Sequence, residues 1–522
     1  MPKIEIDNRT VEVTPGATIL DAARQLGIAI PTLCFLAGCT PSTSCMVCVV
    51  KVKTPDRLLP ACAARAEEGM QVESDTAEVR EARRTALELL LSDHPGDCIA
   101  PCQGVCPAHM EIPRLIRLVA AGDPRGAAAT ARSALVLPAT LGRICPAPCE
   151  KGCRRAAHDG ALSIRLLHRR AADADLASGS IALPACKPAT GKRAAIVGAG
   201  PAGLAAAWHL LQEGCACTVF DDHDRPGGAL RYAVPEDRLP RAVLDAEIAL
   251  VAKLGAVFRL GVRVGQDIPL TDLRKDFHAV LVATGAAKER DAASLGLAAS
   301  PHGIQVDRHT YQTPVAGIFA AGDAVLARQL AVRSVGDGAA AADAILQHVA
   351  GSPIAAGHRP FTTRLGHLAA DEMLQLAAEA SSAGRTAPAG GEAAGLSADE
   401  ARREAPRCFH CDCRKADSCK LRRHSAEYAA APNRYHGTRR QFEKDLRHPE
   451  IVYEPGKCIA CGLCVQISAR AGEPLGLAFI GRGFGVRVGV PMGESIAAGL
   501  RKSAAECVAA CPTGALAFKV SP

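Results

Sequence analysis

The sequence predicts a multidomain chain of mixed α/β and α+β class, and three observations carry that prediction. A chain of 522 residues is too long for one compact domain. Its 23 cysteines fall in three batches, with only Cys215 and Cys217 in the span from about 190 to 352. That span alternates strand-like and helix-like patterns and opens with a strand, a glycine-rich turn and a helix. The expected order is 1–78, 79–188 (helical), 189–352 (Rossmann-like), a linker at 353–405 rich in Ala, Gly and Ser, and 406–522. Ser397 and Glu400 form a capping-box pair, so a short helix is expected to lead into Cys408.

Composition excludes several classes. The 61 basic and 54 acidic residues leave +7, mild for this length. Only 17 residues are aromatic (11 Phe, 5 Tyr, 1 Trp), too few for base-stacking platforms, so no nucleic-acid partner is expected. No run of 18 uncharged apolar residues occurs, and no membrane span is expected. The first residues, MPKIEIDNRTVEV, contain no apolar leader-like run. A cytoplasmic location follows as an expectation, in which thiols stay reduced and serve as metal ligands.

Residues 3–13 alternate around Asp7-Asn8, a hairpin signal, and the segment from Thr18 has helical spacing. Cys34-x10-Cys45-x2-Cys48-x13-Cys62 then supplies four thiols, the number a two-iron cluster needs. This spacing resembles the [2Fe-2S] module of the large iron–sulfur subunit of NADH:quinone oxidoreductase and of related hydrogenases and formate dehydrogenases, which implies a β-grasp ferredoxin fold. A structural zinc site is the alternative. Cys39 lies outside the pattern and reads as a small buried hydrophobe.

The second batch runs His94-x3-Cys98-x3-Cys102-x3-Cys106, then Cys145-x3-Cys149-x3-Cys153. The text APCQGVCPAHMEIPRLI with GRICPAPCEKGC resembles the N-terminal helical domain of the glutamate synthase small subunit and of dihydropyrimidine dehydrogenase. The resemblance implies two [4Fe-4S] clusters with ligands shared between the runs: Cys98, Cys102 and Cys153 for one, Cys106, Cys145 and Cys149 for the other. It also places His168 at the fourth ligand position of the second cluster. His94 stands near the first cluster and, with Cys98, also resembles the histidine-ligated cluster of the complex I subunit. A neutral imidazole in place of a thiolate raises a cluster's potential. The alternative is that either histidine merely hydrogen-bonds.

Arg193–Val197 reads as a buried strand entering Gly198-Ala-Gly200-Pro201-Ala202-Gly203 and a helix. Glycines at these places permit the tight turn, the approach of a pyrophosphate and close helix packing. Asp221 ends the next strand, where a ribose hydroxyl would be bound. Gly227-Gly228, Thr284-Gly285 and Gly322-Asp323 follow in order, and they resemble the FAD-binding parts of the same glutamate synthase family. That family inserts a second dinucleotide fold for NADPH between the last two motifs. The short stretch from Gly285 to Gly322 has no second glycine fingerprint and cannot hold one. The implied FAD has therefore lost its usual hydride donor. Cys215 and Cys217 read as core residues of the second strand.

In the last batch, Cys408-x2-Cys411-x-Cys413-x5-Cys419 supplies four thiols for one [4Fe-4S] cluster, with zinc as the rival. Cys458-x2-Cys461-x2-Cys464 is a ferredoxin run whose fourth position is Ser468, and Cys511-Pro512 supplies the distant ligand. This segment resembles the ferredoxin-like part of the complex I and hydrogenase subunits. Cys507 is left spare, with Cys39, Cys186, Cys215 and Cys217. The basic runs RLLHRR, KLRR and GTRRQFEKDLR read as a solvated face or as docking sites for an acidic partner.

The sum is one [2Fe-2S] cluster, four [4Fe-4S] clusters and one FAD, with no acid–base constellation. It describes an FAD-dependent oxidoreductase subunit that relays electrons to a partner redox protein within a complex. Two alternatives stay open: an oxidoreductase using NAD(P)H directly, and an electron-wire or scaffold subunit.

Overall fold

The computed structural model describes all residues except 182, 287–288, 356–359, 436, 438 and 520–522. The chain forms two compact units, each discontinuous in sequence. The first comprises Met1–Ile99, Pro360–Glu379 and Cys411–Pro522, and the second Ala100–Arg359 with Ala380–His410. This differs from the expected linear series of domains. The residues after 99 leave the first unit, build the second, and return twice.

In the first unit, β1 (Lys3–Ile6) and β2 (Arg9–Glu12) form an antiparallel hairpin. Asp7 and Asn8 both take positive φ (50° and 61°) at its turn, the geometry that a two-residue hairpin turn needs. Helix α1 (Ile19–Gln25) starts at Thr18, whose hydroxyl accepts from the Asp21 N–H while the Asp21 carboxylate accepts from the Thr18 N–H. Strands β3 (Val49–Val52), β4 (Arg57–Pro60) and β5 (Gln71–Glu73) complete a five-stranded sheet in the order β2-β1-β5-β3-β4. Helix α2 (Ala77–Ser92) buries Val79, Arg83, Leu87 and Leu91, one face at helical spacing. The buried Arg83 guanidinium donates to the Val49 and Ser74 carbonyls and to the Tyr428 hydroxyl, so it ties the sheet to the C-terminal segment of the same unit. There, Ile451–Tyr453 pairs antiparallel with Leu516–Phe518 beneath helices Leu463–Arg470 and Ala504–Ala510.

The stretch expected as a linker is structured instead. Helices Ala370–Ala377 and Ala398–Glu404 form within it, and Leu365, Leu368 and Leu376 are buried. The second helix is capped by Ser397 and Glu400, as the sequence motif predicts. Alanine-rich composition suits a helix as well as a linker. Within the first unit, Glu372 is 3% exposed and accepts from the Arg439 guanidinium and the backbone N–H groups of Phe442 and Ala369. The Arg439 guanidinium and those N–H groups outweigh burial and hold its carboxyl down at about 2. A depressed carboxyl stabilises the fold above its ordinary pKa of 4.5, and that stability disappears as pH falls from there toward 2. The difference between 4.5 and 2 corresponds to about 3 kcal/mol. Glu372→Gln is expected to flatten the acid limb of the stability–pH curve in urea unfolding and to lower stability at neutral pH.

The second unit packs helices α3 (Pro101–Val105), α4 (Ile112–Ala120), α5 (Pro124–Leu135), α6 (Pro138–Ile144), α7 (Pro148–Lys151) and α8 (Ile164–Ala177) into one apolar core with a parallel sheet. In that sheet, β6 (Arg193–Val197) and β7 (Ala216–Asp221) lie beside each other, with α9 (Pro201–Gln212) leaving β6. The strand order is Ile318–Ala320, Ala279–Val282, β6, β7, Val257–Leu260. Glu247, fully buried, accepts from the first N–H groups of α6 (Ala139 and Thr140, 2.7 and 2.8 Å), fixing the helix that ends at Cys145. No described helix is long and apolar enough to cross a membrane.

Candidate cluster sites and dinucleotide cavity

In the first unit, Cys34, Cys45, Cys48 and Cys62 are all buried, on the loop after α1 and at the ends of β3 and β4. The loop turns through Thr43 and Met46 at positive φ (54° and 52°), which directs its thiols inward. Cys34 Sγ lies 3.3 Å from Cys45 Sγ. Hydrogen bonds from Cys45 and Cys62 hold the Cys34 thiol far down, and those to Cys34 push Cys45 and Cys62 up. Thiols gathered this closely are an arrangement that a bound iron pair, which takes thiolates, would suit.

The other thiols gather differently from the expected grouping. Cys98 belongs to the first unit and Cys102 to the second. The backbone N–H of Cys413 donates to the Cys98 carbonyl at 3.3 Å, so the two cysteines are side by side. The Cys419 thiol is raised to about 12, by burial first and then by the charges of Cys413, Cys98 and Cys511. Cys98 Sγ also meets the Thr363 hydroxyl at 3.4 Å, and that hydroxyl donates to the Gly96 carbonyl. His94 lies four residues before Cys98 on a non-helical stretch, and burial followed by the Lys457 ammonium lowers its ring to about 3, which leaves it neutral. A β-carbon on Gly514 would fall 2.3 Å from Cys413 Sγ, so glycine leaves the room that this sulfur occupies.

Cys458, Cys461, Cys464 and Cys511 line one small cavity with Tyr453 and Thr513. Burial pushes Cys458 and Cys461 up to about 11 and 12, with the Cys511 charge adding to both. Cys34 also acts on Cys461, and Cys34, Cys45, Cys419 and Cys461 share one apolar cluster. The three thiol groups of the first unit are therefore contiguous. Cys507 is fully buried with its thiol on the Cys464 carbonyl at 3.8 Å.

In the second unit, burial raises Cys106, Cys145 and Cys149, and the Cys106 charge adds to the last two. His168, 3% exposed on α8, has the disposition of a metal ligand. One ring nitrogen bonds the Pro138 backbone, whereas Nδ1 is buried with no hydrogen-bond partner among the described residues. A metal-ligating histidine uses its second nitrogen in this way to fix ring and tautomer. Burial lowers the ring to about 4, keeping it neutral. Cys102 on α3 packs toward α7, where Gly152 gives room for Val105. Phe409, the neighbour of Cys408, lies under the Arg155 guanidinium (5.0 Å) and edge-on to His158 (5.7 Å), on the stretch just after Cys153. The boundary between units falls after His410, so Cys411, Cys413 and Cys419 lie in the first unit and Cys408 in the second.

Above the parallel sheet lies a cavity of about 880 Å³ lined by Gly198, Gly200, Asp221, Gly228, Thr284 and Asp323, among others. That is the scale of a cofactor site. Gly198 has φ +110°, and a β-carbon there would fall 2.3 Å from the Ala283 carbonyl. A β-carbon on Gly203 would fall closer still to the Gly198 carbonyl oxygen, at 1.9 Å. Asp221 accepts from the Ala199 N–H at 2.6 Å and from His223 at 2.8 Å. Pro201, Ala202 and Gly285 also line the cavity. Gly227 is seated beside it, with its N–H on the Ala199 carbonyl, and Gly322 packs on Ala202. Cys145 lines the same cavity, a contact that no sequence motif announced. Cys215 and Cys217 are buried in the core, as expected, and Cys186 is exposed.

The fold and sites define a multidomain α/β protein with iron–sulfur and Rossmann-like domains. Residues 2–77 match the 2Fe-2S iron-sulfur cluster binding domain, residues 66–180 the 4Fe-4S cluster domain II of dihydropyrimidine dehydrogenase, and residues 196–258 the NAD(P)-binding Rossmann-like domain. The chain is similar to the beta subunit of NADP(+)-dependent formate dehydrogenase of Moorella thermoacetica, 38% identical over 207 residues (36% of this chain, 29% of that protein). It is 39% identical over 186 residues to the small chain of glutamate synthase [NADPH] of Bacillus subtilis (36% and 38%). It is also 39% identical over 189 residues to the NAD-dependent dihydropyrimidine dehydrogenase subunit PreT of Escherichia coli K12 (36% and 45%). The chain spans less than half the length of each of these relatives.

Proposed function

We propose that this chain is an electron-transfer subunit that holds FAD, one [2Fe-2S] cluster and four [4Fe-4S] clusters and exchanges electrons with a partner redox protein. The observation that carries the proposal is the shared wall: Cys145, a ligand candidate, lines the cavity that the glycine fingerprint and Asp323 also line. When bound, clusters pass single electrons, whereas a flavin takes up two and releases them one at a time. The thiols and imidazoles hold and space these groups, and the apolar packing around them excludes water.

The ligand sets we assign follow the two units. In the first unit they are Cys34, Cys45, Cys48 and Cys62 (a β-grasp two-iron module), His94, Cys98, Cys413 and Cys419, and Cys458, Cys461, Cys464 and Cys511 (the ferredoxin-like module). In the second they are Cys106, Cys145, Cys149 and His168, with Cys102, Cys153 and Cys408 for the last cluster. Cys411, three residues after Cys408, is its nearest further thiol along the chain. FAD is favoured over a nicotinamide in the cavity because Gly227-Gly228 and Gly322-Asp323 gather with the glycine fingerprint around it. The relatives are named as subunits of larger enzymes, which supports a partner subunit. A cytoplasmic location fits the reduced thiols.

Anaerobic purification with metal and flavin analysis tests this. About 18 iron atoms per chain, two plus four times four, are expected with one FAD. Zinc in place of iron, or NAD(P) extracted in place of FAD, would overturn the corresponding part.

A further inference from the structure

Lys457 is an unusual residue for its place. It is 5% exposed, and its ammonium pairs with the equally enclosed Glu454. Its backbone belongs to the Cys458 group: it precedes Cys458, and its carbonyl accepts from the Thr513 hydroxyl at 2.9 Å. Its side chain runs the other way. A β-carbon on Gly96 would lie 2.7 Å from Lys457 Cε, and one on Gly514 would lie 3.7 Å from Lys457 Cδ and 2.3 Å from Cys413 Sγ. The stem thus threads between two glycines toward His94 and Cys413.

Gly514 has both Lys457 Cδ and Cys413 Sγ beside it, and Gly96, two residues after His94, has Lys457 Cε, so the end of this side chain lies by the Cys413 thiol and the stretch that carries His94. A buried cation is costly unless a nearby anion compensates it. Glu454 compensates in part, and a thiolate-bound cluster would supply the remaining negative charge.

We propose that Lys457 is a positioning residue that sets the reduction potential of the cluster held by His94, Cys98, Cys413 and Cys419, by presenting a fixed positive charge to it. The inference rests on the ligand set assigned above. Net charge near a cluster is one of the terms that fix its potential, and a point charge in a dry site acts over several ångströms. With a neutral imidazole among its ligands, the cation makes this cluster easier to reduce than an all-thiolate cluster without such a charge.

The test is an EPR-monitored redox titration of the full chain, with iron content measured alongside. In Lys457→Met the reduced fraction of one four-iron cluster at fixed potential should fall about tenfold, which is about 59 mV for a one-electron couple. Glu454→Gln should move the same signal the opposite way. The double variant Lys457→Met/Glu454→Gln leaves no lone buried charge, and its potential should lie below that of Glu454→Gln, the protein against which it is read, which keeps the test usable if Lys457→Met folds poorly. Cys413→Ser identifies the signal concerned. If Cys413→Ser keeps full iron, the ligand set fails. If it loses one cluster but neither Lys457 variant moves that cluster's potential at full iron content, the role of Lys457 alone fails. A shift confined to the cluster that persists in Cys413→Ser overturns it equally.

Discussion

Cys413→Ser and Cys98→Ser are expected to abolish the same four-iron EPR signal, each with the loss of about four iron atoms per chain, the content of one such cluster. Cys408→Ser is expected to abolish a different signal, the one also lost in Cys102→Ser. The run from Cys408 to Cys419 looks like a complete four-thiol site when read along the chain, and on that reading Cys408 and Cys413 would delete a single cluster. The structure separates them. Cys413 bonds the backbone of Cys98 and acts electrostatically on Cys419. Cys408 instead sits between Arg407 and Phe409, both anchored on Arg155, in the other unit. Pairwise comparison of the four variants by EPR and iron content decides between the groupings. If Cys408→Ser and Cys413→Ser remove one common signal, the structural grouping is wrong.

The contrast shows what was legible in the sequence. Features decided within a few residues were readable: the Asp7-Asn8 turn, the Ser397 and Glu400 cap, and the turn from Gly198 to Gly203. Each depends on local backbone energetics that a short window contains. The candidate ligand cysteines were also readable as groups, because thiols that share a cluster stand in recognisable spacings. The grouping in space that we propose was not. Spacing reports which cysteines can share a loop, but the approach of Cys413 to Cys98 depends on the path of the intervening chain, which leaves one unit and returns to it. The supposed linker failed for a related reason. Its alanines and glycines suggest a free tether, but Leu365, Leu368 and Leu376 are buried and Glu372 pairs with Arg439 of the same unit. Lys457 gave no signal at all, since a lysine before a ferredoxin run is ordinary until its side chain is seen to turn inward.

Gly203→Val is expected to strip the dinucleotide from the second unit while the three clusters of the first unit stay in place. A side chain at position 203 has nowhere to go: its first carbon would fall 1.9 Å from the Gly198 carbonyl and 3.1 Å from Ile196 Cγ2. The carbonyl is backbone, and Gly198 is itself pinned by the close approach of Ala283. The strain must therefore be relieved by moving α9 away from β6, which opens the phosphate end of the cavity. Overpacking of this kind costs about 2–3 kcal/mol, and if most of that is lost from binding, retention falls roughly 30- to 150-fold. Cofactor-to-chain ratios after gel filtration measure the loss, and EPR of the first-unit clusters supplies the internal control. Gly384→Ala, with open space where its β-carbon would stand, should leave both unchanged. A Gly203→Val protein that keeps a full complement of cofactor would show that the pyrophosphate does not lie on this turn, and the cavity would then need another occupant.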